Sequence, residues 1–572
     1  MQYWKEWIAT ARRWGLACGL LLTPLAAQGQ TPESATQELL RQQERERVLR
    51  EQLETTPDAR LPRVPDLPVD RLPAEESPCF PITRILLDGE FAERFRWALK
   101  AADPVDDPAT GHCLGTAGIN VVLKRVQNAI VARGYVTTRV LTAPQDLKSG
   151  TLTLTLVPGR IHSIRFAPGT SSKATAWNAV PARAGDILNL RDLEQALENF
   201  QRVPTVEADI QLTPAEGESI LPGESDVVIV WRQRSLPIRL TASLDDSGSE
   251  ATGKMQGSVT VSLDDLLMWN DLFYANFNHD VFNGNSKGTR GYTAHYSVPF
   301  GYWTLGATAS GYKYRQTVAG YSQNYVYSGT SDNAEVRLSH LLYRDATRKT
   351  GAYVRGWGRQ SKNYIDDTEI EVQRRRTGGW ELGLTHREHL GASTLDASLA
   401  YRRGTGAFGS LAAPEEDFGE GTSRMKVITA DAQLMVPFQI ASQRLRYIGS
   451  WRAQWDRTPL VPQDRFSIGG RYTVRGFDGE LTLMGERGWV IRNDLGLMLG
   501  AGQELYFGVD YGRVGGASTR WLNGTNLAGS VLGLRGGVRG FYWDLFAGTP
   551  LHKPQGFKTD SLTTGFNLSW SY

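Results

Sequence analysis

The most distinctive chemistry lies in one stretch, Arg471-Tyr472-Thr473-Val474-Arg475-Gly476-Phe477-Asp478-Gly479. Arg475 is a permanent cation with several donors in a fixed fork. Gly476 permits a sharp backbone path, and Phe477 brings a ring that gains by burial. Exposed on a surface, the same residues make an ordinary turn. A second stretch, Glu504-Leu505-Tyr506-Phe507-Gly508-Val509-Asp510-Tyr511-Gly512, offers the complementary group. Side chains alternate across a strand with period two. Leu505, Phe507, Val509 and Tyr511 therefore share one face, and Glu504, Tyr506, Gly508, Asp510 and Gly512 the other. Asp510 stands between two glycines that leave room for an approaching group. The expected chemistry is an ion pair between Arg475 on an infolded loop and Asp510 on a strand wall, which is a clasp and not a reaction.

Motifs that would carry catalysis fall short. Residues 404–409 match GxGxxG but run into a Glu- and Gly-rich loop instead of opening a helix, so they are expected at a strand end. His386 and His389 flank Arg387 and Glu388, which is not the zinc-binding HExxH order. Asp245-Asp246 and Asp366-Asp367 suit loops or rims. No enzyme, cofactor or metal is expected. With 63 basic and 61 acidic residues the net charge is +2, which argues against nucleic acid as a partner.

The elements that must position the clasp are strands. Glycine is abundant at 60 residues, and after the N-terminus no apolar run reaches the roughly 18 residues of a helical span. From about Leu236 onward, apolar and polar residues alternate. Val336 and Leu338 alternate with Glu335 and Arg337; Ala430, Ala432 and Leu434 with Asp431 and Gln433; Ile491 and Leu495 face away from Arg492 and Asp494. Unpaired charge on a dry inner face is costly, whereas a wet lumen accommodates it. The pattern predicts a membrane β-barrel of about 16 antiparallel strands over 236–572, with a long loop at 461–485. The last strand (Leu562, Thr564, Phe566, Leu568, Trp570, Tyr572) keeps an outward apolar face to its terminal aromatic.

Ahead of the barrel, Lys5, Arg12 and Arg13 followed by Leu16 to Leu25 and Ala26-Ala27 read as a signal peptide over 1–27. Residues 33–54 read as a helix, polar nearly all round, with Glu46/Arg50, Arg47/Glu51 and Arg50/Glu54 at i,i+4 spacing. Residues 55–78 hold six prolines and read as an extended spacer. Two α+β units follow, 79–158 and 159–233. In the first, a strand from Phe80, a short helix Phe91–Ala101, an amphipathic helix Ile119–Ala132 and strands Tyr135–Leu141 and Leu152–Val157 are expected; a second unit of the same order repeats the plan. Cys79 and Cys113 remain after signal removal, and export favours a disulfide between them. Two free buried thiols or half a metal site are the alternatives.

Val474-Arg475-Gly476-Phe477 resembles the VRGF loop-tip signature of two-partner secretion transporters, the family that exports filamentous haemagglutinins, haemolysins and contact-dependent-inhibition toxins. Gly508-Val509-Asp510-Tyr511-Gly512 resembles that family's strand motif, and Gly134 to Arg139 is similar to part of a first POTRA domain. The resemblance covers nearly the whole chain. It implies a bacterial outer-membrane translocator with two POTRA-like domains in the periplasm and a plug helix that leaves the lumen during secretion. It also implies a large β-helical partner exoprotein bound through the POTRA-like domains, contact with outer-membrane lipid, and recognition of the last strand by the barrel-assembly machinery. Folding of the partner outside would supply the drive. Alternatives are an insertase for other barrels, disfavoured by having two such units and a plug, and a passive porin-like channel, disfavoured by the N-terminal half.

Overall fold

The computed structural model describes residues 33–54, 57–61, 67–68, 70–216, 220–284 and 287–572. The predicted signal peptide, 1–27, falls outside these residues, as does part of the Pro-rich segment.

Helix α1 (Glu33–Leu53) covers the predicted span. Arg47–Glu51 and Arg50–Glu54 pair at 2.8 and 3.1 Å as expected. Glu46 instead accepts from Gln42 and from Ser310 of the barrel wall, at 3.2 and 3.3 Å. Arg50 divides itself between Glu54 and the wall's Glu335, 2.6 Å away.

The first α+β unit is a three-stranded sheet. Its central strand, Thr151–Val157, runs parallel to Arg84–Asp88 and antiparallel to Arg139–Leu141. Leu152, Leu154 and Leu156 point inward by alternation, and Val122, Val126 and Ile130 of helix α2 (Thr116–Ala132) close over them, all buried. A disulfide joins Cys79 to Cys113 beside the short pair Phe80–Pro81 and Cys113–Leu114. Helix α2 begins before the apolar pattern does, because its cap comes from elsewhere in the chain. Gly115 has no side chain to cap with, and the Glu76 carboxylate accepts from the amides of Gly115, Ala117 and Gly118 at 2.7, 2.9 and 3.0 Å. The strand expected from Tyr135 is shorter, because 134–138 form a turn that receives the second unit: the Leu190 amide donates to the Gly134 carbonyl and the Gly159 amide to Thr138 Oγ1.

In the second unit the order is Arg160–Phe166, Glu224–Gln233, Val206–Pro214. Helix α3 (Leu190–Gln201) is capped by Asn189 and packs Leu193, Ala196 and Phe200 onto Ile161, Val227 and Ile229. Unlike the first unit, it has no helix between 167 and 188, only turns and a single β-bridge from Ile187 to Arg160. The Pro-rich segment is not a free spacer. Ala59 and Leu72 are buried in the cores of the second and first units, and Leu67 exchanges hydrogen bonds with Asn128. The amides of Ala59, Leu61, Leu67 and Leu72 find side-chain acceptors along both units.

The barrel has sixteen full strands: β1 (Ile238–Asp245), β2 (Gln256–Asp264), β3 (Leu272–Asp280), β4 (Gly288–Phe300), β5 (Trp303–Ala319), β6 (Asn324–Arg344), β7 (Arg348–Ile365), β8 (Arg375–Leu390), β9 (Ser393–Thr405), β10 (Lys426–Ile440), β11 (Gln443–Asp456), β12 (Arg487–Gly500), β13 (Gln503–Gly515), β14 (Asn526–Val538), β15 (Phe541–His552) and β16 (Thr563–Ser571). Each pairs antiparallel with the next, and β16 closes on β1 from Asn567↔Asp245 to Ser571↔Thr241. A two-residue strand, Thr368–Glu369, folds back on β7. Strand β13 shows the two faces: Leu505, Phe507, Val509 and Tyr511 are exposed, and Glu504, Tyr506, Gly508, Asp510 and Gly512 are buried. Gly404 and Thr405 end β9, where the GxGxxG match was expected to be a strand end.

The second unit is docked on the end of the barrel from which β1 starts. Asn199 donates to the Gly301 carbonyl at 2.8 Å, Arg202 to Ser297 Oγ at 2.6 Å, and Arg344 pairs with Glu194 and Glu198 at 3.1 and 3.0 Å. Asp58 of the linker joins Lys349 and His389 at 2.7 and 3.1 Å. In the β2–β3 turn Asn270 bonds Asn178 and the Thr175 carbonyl, both in the second unit.

Two outcomes follow. Glu76→Ala removes the acceptor for three amides and should lower protection of the first turns of α2 by about 1–2 kcal/mol in hydrogen exchange; unchanged protection would contradict the cap. Burial, reinforced by the Asp271 charge and opposed by the Asn270 amide, pushes the Asp265 carboxyl of the β2–β3 turn up to about 6. A raised carboxyl penalises the docked turn above that pH, and the penalty is relieved as pH falls through 6 towards the ordinary value. Resistance of the turn to proteolysis should therefore rise between pH 7 and 5, and Asp265→Asn should flatten the profile; a flat profile in the unaltered chain would contradict it.

Candidate functional site

The connection between β11 and β12 does not project from the barrel. After a turn at Pro462–Asp464 it makes a short hairpin, Phe466–Ile468 against Leu483–Gly485, whose tip enters the lumen. The tip is anchored by an apolar cluster. Val474 and Phe477 are buried with Phe466, Ile468, Leu483, Val490, Val514 and Leu527, and Phe557 meets Phe477 edge-on at 5.8 Å. This is unusual packing for a lumen, and it fixes where Arg475 can reach.

Arg475 spans two strands. Its Nε and Nη2 donate to Asp510 Oδ2 and Oδ1 at 2.7 Å each, its amide donates to Oδ2 at 2.9 Å, and Nη2 also reaches Asp494 Oδ1 at 2.5 Å. Arg475 is 5% exposed and Asp510 0%. Both oxygens of Asp510 are therefore satisfied by one residue, a bidentate contact of the strong kind. Asp494 sits on β12 across from Gly508 of β13, and its other oxygen faces Arg535 at 3.8 Å. The glycines are where the loop needs space. A Cβ at Gly508 would lie 2.6 Å from Arg475 Nη2, and one at Gly512 2.9 Å from Val474. Gly476 has φ +92°, a conformation that side chains rarely adopt, and a Cβ there would strike the Thr549 carbonyl at 2.5 Å.

The structure thus brings together Val474, Arg475, Gly476, Phe477, Gly508, Asp510 and Gly512, while Cys79 and Cys113 lie apart in the first unit. Sequence reasoning missed Asp494 as the second acceptor, although it placed that residue on the inward face. It also missed Gly529 of β14, where a Cβ would stand 1.9 Å from the Arg475 carbonyl oxygen. Strand register is what links them. Arg471 provides a further tie, to Asp246 at 2.8 Å and to the Phe566 carbonyl at 3.1 Å, clipping the loop to the β1 end and to β16.

Helix α1 occupies the lumen beside this loop. Arg41 donates to the Gly479 carbonyl at 2.7 Å, Arg45 to Gln256 at 2.9 Å, and Arg452 of the wall to Glu44 at 2.8 Å. Glu38 accepts from Thr252 at 3.0 Å and from the Tyr312 hydroxyl, and Glu54 accepts from Tyr274 at 2.9 Å. The wall carries its own charge ladder, Arg355 bridging Glu335 and Glu381 at 3.0 and 2.5 Å. A cavity of about 750 Å³ remains among α1, the loop and the wall, lined by polar and charged groups. Among the described residues no helix is long and apolar enough to cross a membrane; the barrel crosses with strands.

A closed sixteen-stranded barrel, a loop clasped to its inner wall and a helix in its lumen, with two α+β units at one end, define an outer-membrane transporter of the two-partner secretion type. Residues 223–536 match the family described as haemolysin secretion/activation protein ShlB/FhaC/HecB, 80–159 match the ShlB-type POTRA domain, and 160–214 a POTRA domain. The chain belongs to the ShlB/FhaC/HecB family. It is similar to outer membrane transporter CdiB-2 of Burkholderia pseudomallei, 39% identical over 96% of this chain and 97% of that protein. It is 23% identical to the haemolysin transporter HpmB of Proteus mirabilis over 75% of this chain and 74% of that one. The structure of CdiB from Acinetobacter baumannii superposes with a TM-score of 0.83 at 32% identity, covering 94% of this chain and 99% of the other. The protein is an outer-membrane translocator for a partner exoprotein, with its POTRA domains in the periplasm.

Gly529→Ala forces a methyl group against the Arg475 carbonyl and should free the loop tip. Trypsin added outside intact cells should then cleave at Arg471 or Arg475, sites protected in the unaltered protein. A loop that stays uncut in a folded Gly529→Ala barrel would show that the close approach is dispensable.

Proposed function

We propose that the transporter exports one large β-helical exoprotein, held in extended form at the margin of its POTRA sheets, and that the loop clasp and α1 set when the lumen is open. The observation that carries this is the nature of the contacts filling the lumen. Helix α1 is attached by ion pairs and hydrogen bonds to Glu335, Gln256, Arg452 and Thr252, and only Ala35, Leu39 and Leu40 of its apolar residues are buried. The Arg50–Glu335 and Arg452–Glu44 pairs line the polar cavity and exchange for water at little cost, whereas Glu38, Thr252 and Gln256 are buried and form the tighter end of the attachment. Replacing an apolar plug would expose much more surface at about 25 cal/mol per Å². The loop is held differently, by a buried bidentate clasp and an apolar cluster, so it stays when α1 leaves.

The edge strand Val206–Pro214 of the second POTRA domain has a free margin that suits strand addition by an extended chain. The resemblance to the CdiB proteins favours a contact-dependent toxin over an adhesin or a haemolysin as the partner. During biogenesis the barrel-assembly machinery takes β16 by its outward residues, Trp570 among them.

Secretion of a candidate partner's N-terminal fragment by intact cells tests this. Export should require the transporter and fall severalfold in Arg475→Ala while the barrel stays folded; unchanged export would remove the role given to the clasp. A Glu38→Cys/Thr252→Cys pair should block export when oxidised and restore it on reduction. Export through an oxidised, cross-linked barrel would show that α1 need not move.

A further inference from the structure

The outer wall carries a row of mostly basic side chains outside the lumen. Register places His279, Arg290, Lys313, Thr330 and Lys362 side by side across β3 to β7. Their strand neighbours Thr289, Tyr312, Tyr314 and Ser361 are buried on the lumen side, so the row faces outward. His279, Arg290 and Lys313 are exposed, and the Arg290 and Lys313 side chains make no ion pair or hydrogen bond among the described residues. Lys362 stands 3.8 Å from Glu369, and His279 leans on Asp280. One carboxylate, Asp332, lies a position nearer the membrane centre, opposite Gly311. Arg315 continues the positive charge two residues beyond Lys313 on β5.

The height of the row can be placed. Near the POTRA end an aromatic belt marks the membrane boundary: Trp303 and Phe300 are exposed there, and Trp177 packs on Trp269 and Phe300 at 6.1 and 5.6 Å. Lys313 lies ten residues beyond Trp303 on β5. At about 3.4 Å per residue that is roughly 34 Å along the strand. With barrel strands tilted about 40°, the rise is about 26 Å, against an apolar band about 25 Å tall. The row therefore sits at the outer leaflet's headgroup level. Directly below it, Gly257, Val259, Phe277, Tyr292 and Gly311 line a mostly apolar groove of about 700 Å³.

The geometry points to a binding site for one phosphate-bearing lipid of the outer leaflet. Its phosphates lie along Arg290, Lys313 and Lys362, and an acyl chain fills the groove beneath. Guanidinium and ammonium groups at a membrane surface attract anionic headgroups, and arginine's fork suits phosphate oxygens. The Tyr292 ring lies over Gly311, where a Cβ would stand 2.4 Å from it, and gives the groove a flat apolar wall.

The test uses the full-length transporter in phosphatidylethanolamine vesicles with and without lipid A, extracted into mild detergent and read by native mass spectrometry. The unaltered protein should retain lipid A, and Arg290→Ala/Lys313→Ala should retain roughly 30-fold less. The charge-conserving Arg290→Lys/Lys313→Arg should retain it, which separates lost charge from a damaged barrel. Equal retention by the unaltered and double-alanine proteins would overturn the site. Equal retention of dephosphorylated lipid A would overturn the role of the cations. Complete displacement of lipid A by inorganic phosphate would reduce the site to a simple anion patch and overturn the lipid assignment.

Discussion

One buried guanidinium, shared between carboxylates on two neighbouring strands, is the constraint on which the rest of the site depends. Taking a charge out of water costs several kcal/mol, and only close, well-directed partners offset it. Arg475 has them in Asp510 and Asp494. The arrangement then dictates its surroundings. The strand opposite must lack side chains at Gly508 and Gly512, β14 must lack one at Gly529, and the loop must turn through a left-handed residue at Gly476. Val474 and Phe477, on either side of that Arg-Gly pair, supply the apolar anchor that holds the guanidinium in register with its acceptors. A loop of this length would otherwise have many conformations to lose, and the clasp and the cluster together settle on one.

The barrel separates two solvents, and its parts are attached according to which one they meet. Outward positions such as Leu505 and Phe507 face hydrocarbon and need no partner, whereas inward positions are polar or small, and charged ones such as Glu335, Arg355 and Glu381 pair with one another. The helix resting in this lumen is held mostly by polar contacts, with Ala35, Leu39 and Leu40 buried at its N-terminal end. The POTRA domains are attached more firmly. Arg344, 3% exposed, meets two glutamates of α3, and the linker's Asp58 bridges to Lys349 and His389. These ties fix the orientation of the second POTRA domain to the pore.

Much of this was legible in the amino-acid order because a strand's period of two assigns faces without further information. Asp510 between its glycines, the sixteen strands and the outward face of β16 follow from it. The partners of Arg475 beyond Asp510 were not legible, because Asp494 and Gly529 come to it by register between strands, which alternation leaves open. Helix α2 begins at Thr116, ahead of its apolar pattern, because Glu76 caps it from forty residues away in the chain, and no local rule reports such a partner. The proline segment is expected to be a spacer, but the packing of its described residues against both POTRA domains depends on Ala59 and Leu72 finding gaps formed by distant residues. For α1 the charge pattern predicted a helix; which glutamates face the wall, as Glu46 does, is set by the wall.

The central claim is that Arg475 and Asp510 form one coupled buried unit, and a double-mutant cycle on the heat stability of the folded barrel measures this directly. Arg475→Ala and Asp510→Ala each leave a charge buried without its main partner, a loss of about 3–5 kcal/mol, whereas the double variant leaves neither. The account predicts that the double variant is more stable than the sum of the two single losses allows, by at least about 1 kcal/mol. Strictly additive losses would mean that the two residues act independently and that the loop is held by its apolar cluster alone.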